Sequence, residues 1–391
     1  MKKLNPYHFL LIILVFLFIQ SGCSSAYSLK GELAGIPVDT EVDSELVQRV
    51  YDNSKGESEL FSCPENYQLP TQVRLREVTE MYSADVATLV LTRCLERIPK
   101  NKVSQQVFLQ EVALVRASGN SEGIKHQTYL DSRADQYLVL FMPGWDYKTN
   151  GHLTGADLQT PRRIIDDAGF EGVIVPIPEA GSVKRNAQVL LNTLEQYEAM
   201  ERHRHKQFII VSASSAGPAV ALALNDKGDH FPVVAWLNIG GVLRGAPVID
   251  HLLPWTKSWL LKLACLFEGW NYSDLKSLSV NESKLRFEQI VLPSEVTIIN
   301  YVGIPFSGDI TPFAEKFYPI LKKLGPNDGM TLIADALAPG YTILAIGSDH
   351  FVREDPEIDI KTAALLTTLI KLVERRLTVS ELRRSYIRPP Q

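Results

Sequence analysis

The chain has 391 residues, 45% of them apolar and 22% charged, which is the composition of a soluble globular protein with room for one large domain plus an extension. Its formal charge of −5 is spread over interspersed acidic and basic residues, so no basic stripe is offered to a phosphate backbone and no nucleic-acid partner is expected.

In chain order, Lys2 and Lys3 precede an unbroken apolar run of eleven residues, Phe9 to Ile19, and then Ser21-Gly22-Cys23. Such a run is too short to cross a hydrocarbon core of roughly 30 Å as a helix, and a basic start followed by a short apolar core fits an export signal. An uncleaved anchor helix is the alternative. The Ser-Gly-Cys ending resembles the lipobox of bacterial lipoproteins, although Gln20 stands where that pattern has an apolar residue. The resemblance implies a signal peptide over 1–22 and an acylated, membrane-anchored Cys23. With Ser24 rather than Asp next to it, it also implies the outer membrane of a Gram-negative cell envelope.

Residues 23–75, rich in Ser, Glu, Asp and Pro, read as a tether with one small helix near Leu46-Val47-Val50-Tyr51. A helical extension, 76–130, follows. Its amphipathic patterns run from about Glu77 to Ile98 and from about Val103 to Ala117, separated by Pro99-Lys100-Asn101. In an oxidising compartment Cys63 and Cys94 are the plausible disulfide pair, because both precede the main domain. Cys265, inside WLLKLACLF, reads as a buried small hydrophobe.

The main domain, 131–375, opens on the apolar strand Tyr137 to Met142, stopped by Pro143-Gly144. A helical stretch from Pro161 to Ala168, a strand from Gly172 to Ile177 and a long helix from Val183 to Arg204 come next. Further strands are expected at Phe208 to Val211, Val233 to Ile239, Val296 to Val302 and Tyr341 to Ile346. Apolar strands that alternate with helices and lack polar alternation are buried on both faces, so the fold class is α/β with a mostly parallel sheet. The Trp-rich stretch from about 252 to 292 interrupts the alternation and is a candidate cap; 376–391 reads as a tail.

After the strand ending at Val211 comes Ala213-Ser214-Ser215-Ala216-Gly217, a strand-to-helix turn with small residues two before and two after Ser215. A nucleophilic serine needs such a turn because the two elements pack closely around a strained residue. A plain turn with a capping serine is the other reading of this segment. Downstream, Asn327-Asp328-Gly329 stands 22 residues before His350, which follows the last strand. An ordered Ser, acid and His supply what acyl transfer requires: a nucleophile, a base to take its proton and a carboxylate to orient the imidazole. Asp309, after the strand Val296 to Val302, is the alternative acid. Asp349 is read as a loop-capping carboxylate, His152 as a solvated loop residue, and His203 and His205 as the end of a helix rather than metal ligands.

These motifs, with Asn327 to Phe351, Phe141-Met142-Pro143-Gly144-Trp145 and Asn238 to Pro247, resemble the α/β-hydrolase superfamily, in particular bacterial lipases and esterases, over roughly 135–374. The resemblance implies an α/β-hydrolase fold, catalytic Ser215, Asp328 and His350, and oxyanion donors at the backbone of Trp145 and Ala216. It implies a cell-envelope serine hydrolase acting on small-molecule or lipid carboxylic esters without metal or organic cofactor. An amidase or thioesterase with the same triad, and a non-catalytic lipoprotein using the fold as a binding module, are the alternatives.

Overall fold

The computed structural model describes residues 27–53, 63–117 and 129–387. The expected signal peptide and the lipidation site at Cys23 lie outside them.

The stretch expected to be a tether begins instead with an antiparallel hairpin, β1 (Tyr27–Leu33) and β2 (Ile36–Val42). Ala34 and Gly35 both have positive φ, 52° and 76°, as a two-residue turn between right-twisted strands demands. Leu29, Leu33, Val38 and Val42 are buried, on the period of two that a half-covered hairpin shows. Lys30, Glu32, Asp39 and Glu41 alternate with them and dominate the composition, which hides the pattern. This apolar face packs with α1 (Leu46–Asp52) and α2 (Gln72–Met81) onto Val302, Ile304, Phe306 and Leu344 of the main domain.

The first expected helix is two. Ser83 is extended, and its side chain accepts the Val86 N–H, so α2 ends and α3 (Ala84–Arg97) begins there. Next, α4 (Pro99–Arg116) starts with Pro99 in its first turn, where a missing N–H costs nothing. Cys63 and Cys94 are joined as a disulfide that ties the segment before α2 to α3.

Six strands build the central sheet: β3 (Tyr137–Met142), β4 (Glu171–Ile174), β5 (Gln207–Ala213), β6 (Val233–Ile239), β7 (Thr297–Ile304) and β8 (Tyr341–Ile346). All pairings are parallel and the order is β4-β3-β5-β6-β7-β8, an α/β-hydrolase core. Between strands run α5 (Gln159–Asp167), α6 (Val183–Glu198), α7 (Gly217–Lys227) and α8 (Trp255–Glu268); α9 (Ile358–Ile387) closes the chain. On one face Leu190, Leu194, Val220 and Leu224 of α6 and α7 pack on Leu138, Ile210 and Trp236. On the other, Phe108, Ile165, Leu365 and Leu369 of α4, α5 and α9 cover Val139, Ile209 and Tyr301. The tail expected over 376–391 continues α9 to Ile387, and Arg376 donates to the Ser294 carbonyl at 3.2 Å.

The outer edge of β8 faces α4 rather than another strand. Asn101 Oδ1 accepts the Thr342 N–H at 2.9 Å, and Gln105 Oε1 accepts the Leu344 N–H at 2.9 Å. Ser104 Oγ donates to the Thr342 carbonyl at 3.1 Å, and Gln105 Nε2 to that of Leu344 at 3.3 Å. Three polar side chains on one helix face thus occupy the hydrogen-bonding positions of a seventh strand, and the edge is not left open to another chain.

Candidate active site

β5 delivers its last residue, Ala213, in extended conformation, and the next one, Ser214, has a φ of 50°. A non-glycine residue in the left-handed region costs of order 1 kcal/mol or more and persists where the surrounding structure holds it. Crowding does so here: a Cβ on Gly144 would lie 3.5 Å from Ser214 Cβ, and one on Gly217 would lie 2.9 Å from Asn238 Oδ1.

The strained position, and with it the hydroxyl that meets His350, therefore belongs to Ser214 and not to Ser215. Ser214 is flanked at two residues by Ser212 and Ala216, which are as small as the pair flanking Ser215. Gly217 answers a separate demand, the close approach of α7 to β6. The expectation of Ser215 rested on Ala213 and Gly217 at two residues to either side, but β5 runs to Ala213 and the residue that begins the turn is Ser214. Ser215 is buried in the turn that follows.

His350 Nε2 stands 2.9 Å from Ser214 Oγ, and its Nδ1 stands 2.8 Å from Asp328 Oδ2. The second carboxylate oxygen of Asp328 is held by the N–H groups of Met330, at 2.9 Å, and Thr331, at 2.8 Å. The tight loop requires Gly329, whose φ of 93° and contact with Ala314 leave no room for a side chain. Its backbone also receives the catalytic loop, because the His350 N–H donates to the Asp328 carbonyl at 2.7 Å. Asp328 is fully buried and the His350 side chain is 7% exposed. Burial opposes a charged imidazole, but the Asp328 carboxylate outweighs it, with Asp349 adding to the pull, and the pKa of His350 is raised above its usual 6.5.

Asp309, the alternative acid, is committed elsewhere. It accepts the Phe306 N–H at 2.9 Å and the Thr40 hydroxyl at 2.6 Å, clasping the N-terminal hairpin to the end of β7. Asp349 accepts the N–H groups of Thr311 and Phe351, each at 2.8 Å, and braces the loop beside His350. His152 is exposed. His203 is buried at the opposite end of the sheet, its Nε2 2.9 Å from the Glu171 carboxylate, which also takes Lys206. Cys265 is buried and unpaired among the described residues.

For the oxyanion, the N–H of Gly144 goes to the Ala156 carbonyl and that of Asp146 to the Glu179 carbonyl; Trp145 stands between them, next to the Gly144 that packs against Ser214. With Ser214 in the elbow, the donor that follows the nucleophile is the N–H of Ser215; the expected Ala216 lies one residue too far along. Trp270, from the 252–292 segment, packs edge-on against Trp145 with ring centroids 5.4 Å apart.

No protein-family model matches the chain, and no curated protein matches it. Solved structures that it resembles in fold include esterases and lipases. A metagenomic carboxyl esterase is 22% identical over 62% of this chain and 76% of its own, with a TM-score of 0.48. The mature Bacillus licheniformis lipase BlEst2 is 17% identical, covering 60% and 91% of the two chains, with a TM-score of 0.47. Esterase B of Lactobacillus rhamnosis is 14% identical over 63% and 79%, with a TM-score of 0.38.

Proposed function

We propose that the chain is a serine hydrolase of carboxylic esters that works through an acyl-enzyme on Ser214. The observation carrying this is the continuous relay from Ser214 Oγ through His350 to the buried Asp328, mounted on a strained turn at the end of a parallel sheet. Ser214 Oγ attacks the ester carbonyl carbon while its proton passes to His350 Nε2. The N–H groups of Ser215 and Trp145 receive the developing oxyanion; one such donor is worth roughly 3–4 kcal/mol in the transition state. Collapse breaks the bond to the alkoxy oxygen, which leaves with the proton from Nε2. Water then repeats the sequence against the acyl-serine and releases the acid.

Attachment to the cell envelope through a lipid on Cys23 is part of the same proposal. It is supported by the basic start, the short apolar run and Gly22-Cys23, and by a Cys63–Cys94 disulfide of the kind that persists in an oxidising compartment.

Fluorophosphonate labelling followed by peptide mapping tests the assignment. Wild type and Ser215→Ala should label at position 214, and Ser214→Ala should not label and should lose about 10⁴-fold or more in ester turnover. Labelling that survives Ser214→Ala and disappears with Ser215→Ala would overturn it. A folded wild type inert to the probe and to esters, thioesters and amides would favour a binding module.

A further inference from the structure

A cavity of about 250 Å³ opens at Ser214 and His350 and runs down into the core between the sheet and helices α5 and α9. Its deep wall is apolar: Val139, Ile209, Val211, Ile165, Leu365 and Leu369 all line it. Ile209 lies five residues before Ser214 on β5, so at about 3.3 Å per residue the cavity reaches roughly 16 Å below the nucleophile.

Two polar groups of the lining, the Trp145 Nε1–H and the Tyr301 hydroxyl, have no hydrogen-bond partner among the described residues, and the second belongs to the sheet wall. Tyr301 lines the cavity and is 2% exposed, and its hydroxyl has no hydrogen-bond partner among the described residues. A buried hydroxyl left unpaired costs about 1–3 kcal/mol, so it is a feature that a ligand oxygen would relieve. Its height in the sheet is set by register: Tyr301 pairs with Ile239, which pairs with Ala213, the residue next to Ser214. The Tyr301 Cα therefore lies level with Ala213, at the Ser214 end of the cavity rather than at its floor. Burial, with Asp355 adding to it, raises the phenol pKa, which keeps the group protonated and able to donate.

We infer that the preferred substrates are esters of medium-chain acids whose acyl group carries a hydroxyl or oxo oxygen close to the carbonyl. The acyl chain descends from Ser214 into the core, and Tyr301 binds its oxygen. This rests on the ester-hydrolase reading of the same site, and the alcohol part of the substrate is left outside the cavity.

The test takes protein in which fluorophosphonate labelling of Ser214 and hydrolysis of p-nitrophenyl acetate have been measured first. Across p-nitrophenyl esters from two to fourteen carbons, kcat/KM should climb by up to about fourfold per methylene and turn over at a medium length, before fourteen. Leu369→Phe, which fills the cavity floor, should move the optimum to shorter chains. Methyl 3-hydroxyoctanoate and methyl 3-oxooctanoate should be preferred to methyl octanoate by about tenfold, and Tyr301→Phe should collapse that ratio toward one. An enzyme that labels at Ser214 and cleaves the acetate but is fastest on the acetate or still gains at fourteen carbons, or shows no preference for the oxygenated chain, overturns the inference and leaves the hydrolase reading standing. Absence of both labelling and hydrolysis overturns the two together.

Discussion

His350 must be neutral to take the Ser214 proton, and its surroundings favour the charged ring. Its raised pKa means that activity falls as pH drops through a value above 6.5. Stability runs the other way. Because the folded state binds the proton more tightly than the unfolded chain, the ring stabilises the fold fully below pH 6.5, and that contribution is lost as pH rises through the folded-state pKa. We expect kcat/KM to rise with pH across the window just above 6.5 while the urea midpoint declines slightly. In His350→Gln that decline should vanish; an acid limb of kcat/KM centred below 6.5 would contradict the argument. Asp328 and His350 were legible at this scale because a loop carboxylate and a loop base need only order and spacing along the chain. The serine was not, since Ser214 and Ser215 both sit between small residues, and only the end of β5 and a positive φ tell them apart.

Among elements, the six strands were legible as apolar runs, because a strand covered on both faces needs no polar alternation. β3, β6 and β8 have the expected bounds, while the ends of β4, β5 and β7 shifted by one to three residues, as at β4, where Pro176 lay inside the expected strand and the pairing stops at Ile174. What α4 does was hidden, since Asn101, Ser104 and Gln105 look like the polar face of an amphipathic helix. They are buried, and together they serve both donors and both acceptors of two β8 residues. Asn101→Ala combined with Gln105→Ala should therefore cost about 3–5 kcal/mol in urea unfolding, at roughly 1–3 kcal/mol per group stranded, and should promote association through the freed edge. A loss below ~1 kcal/mol would mean that water replaces the side chains without penalty.

At the scale of the molecule, the N-terminal residues are built into the main domain. The hairpin apolar face packs on β7 and β8, Asp309 grips Thr40, and Arg116 of α4 pairs with Glu357 just before α9. The sequence divides at 75 and 130 by composition, but composition is blind to where an apolar face is spent. Reduction of the Cys63–Cys94 link, which spans 31 residues, should lower stability by about 3–4 kcal/mol and shift the single unfolding transition of the whole chain. A separate early transition, leaving the catalytic domain folded, would show that the extension is an independent unit.

The early start of β1 also bears on reach. Tyr27 is already paired with Val42, so only three residues separate it from Cys23. At no more than about 3.6 Å per residue, the first strand would be held within roughly 15 Å of a lipidated cysteine. With the proposed lipid on Cys23, a hydrolase on so short a leash would not search the surrounding solution. It would sample the layer of ester groups immediately around its own anchor, and its rate on a bilayer would depend on how densely those groups are laid out in the plane.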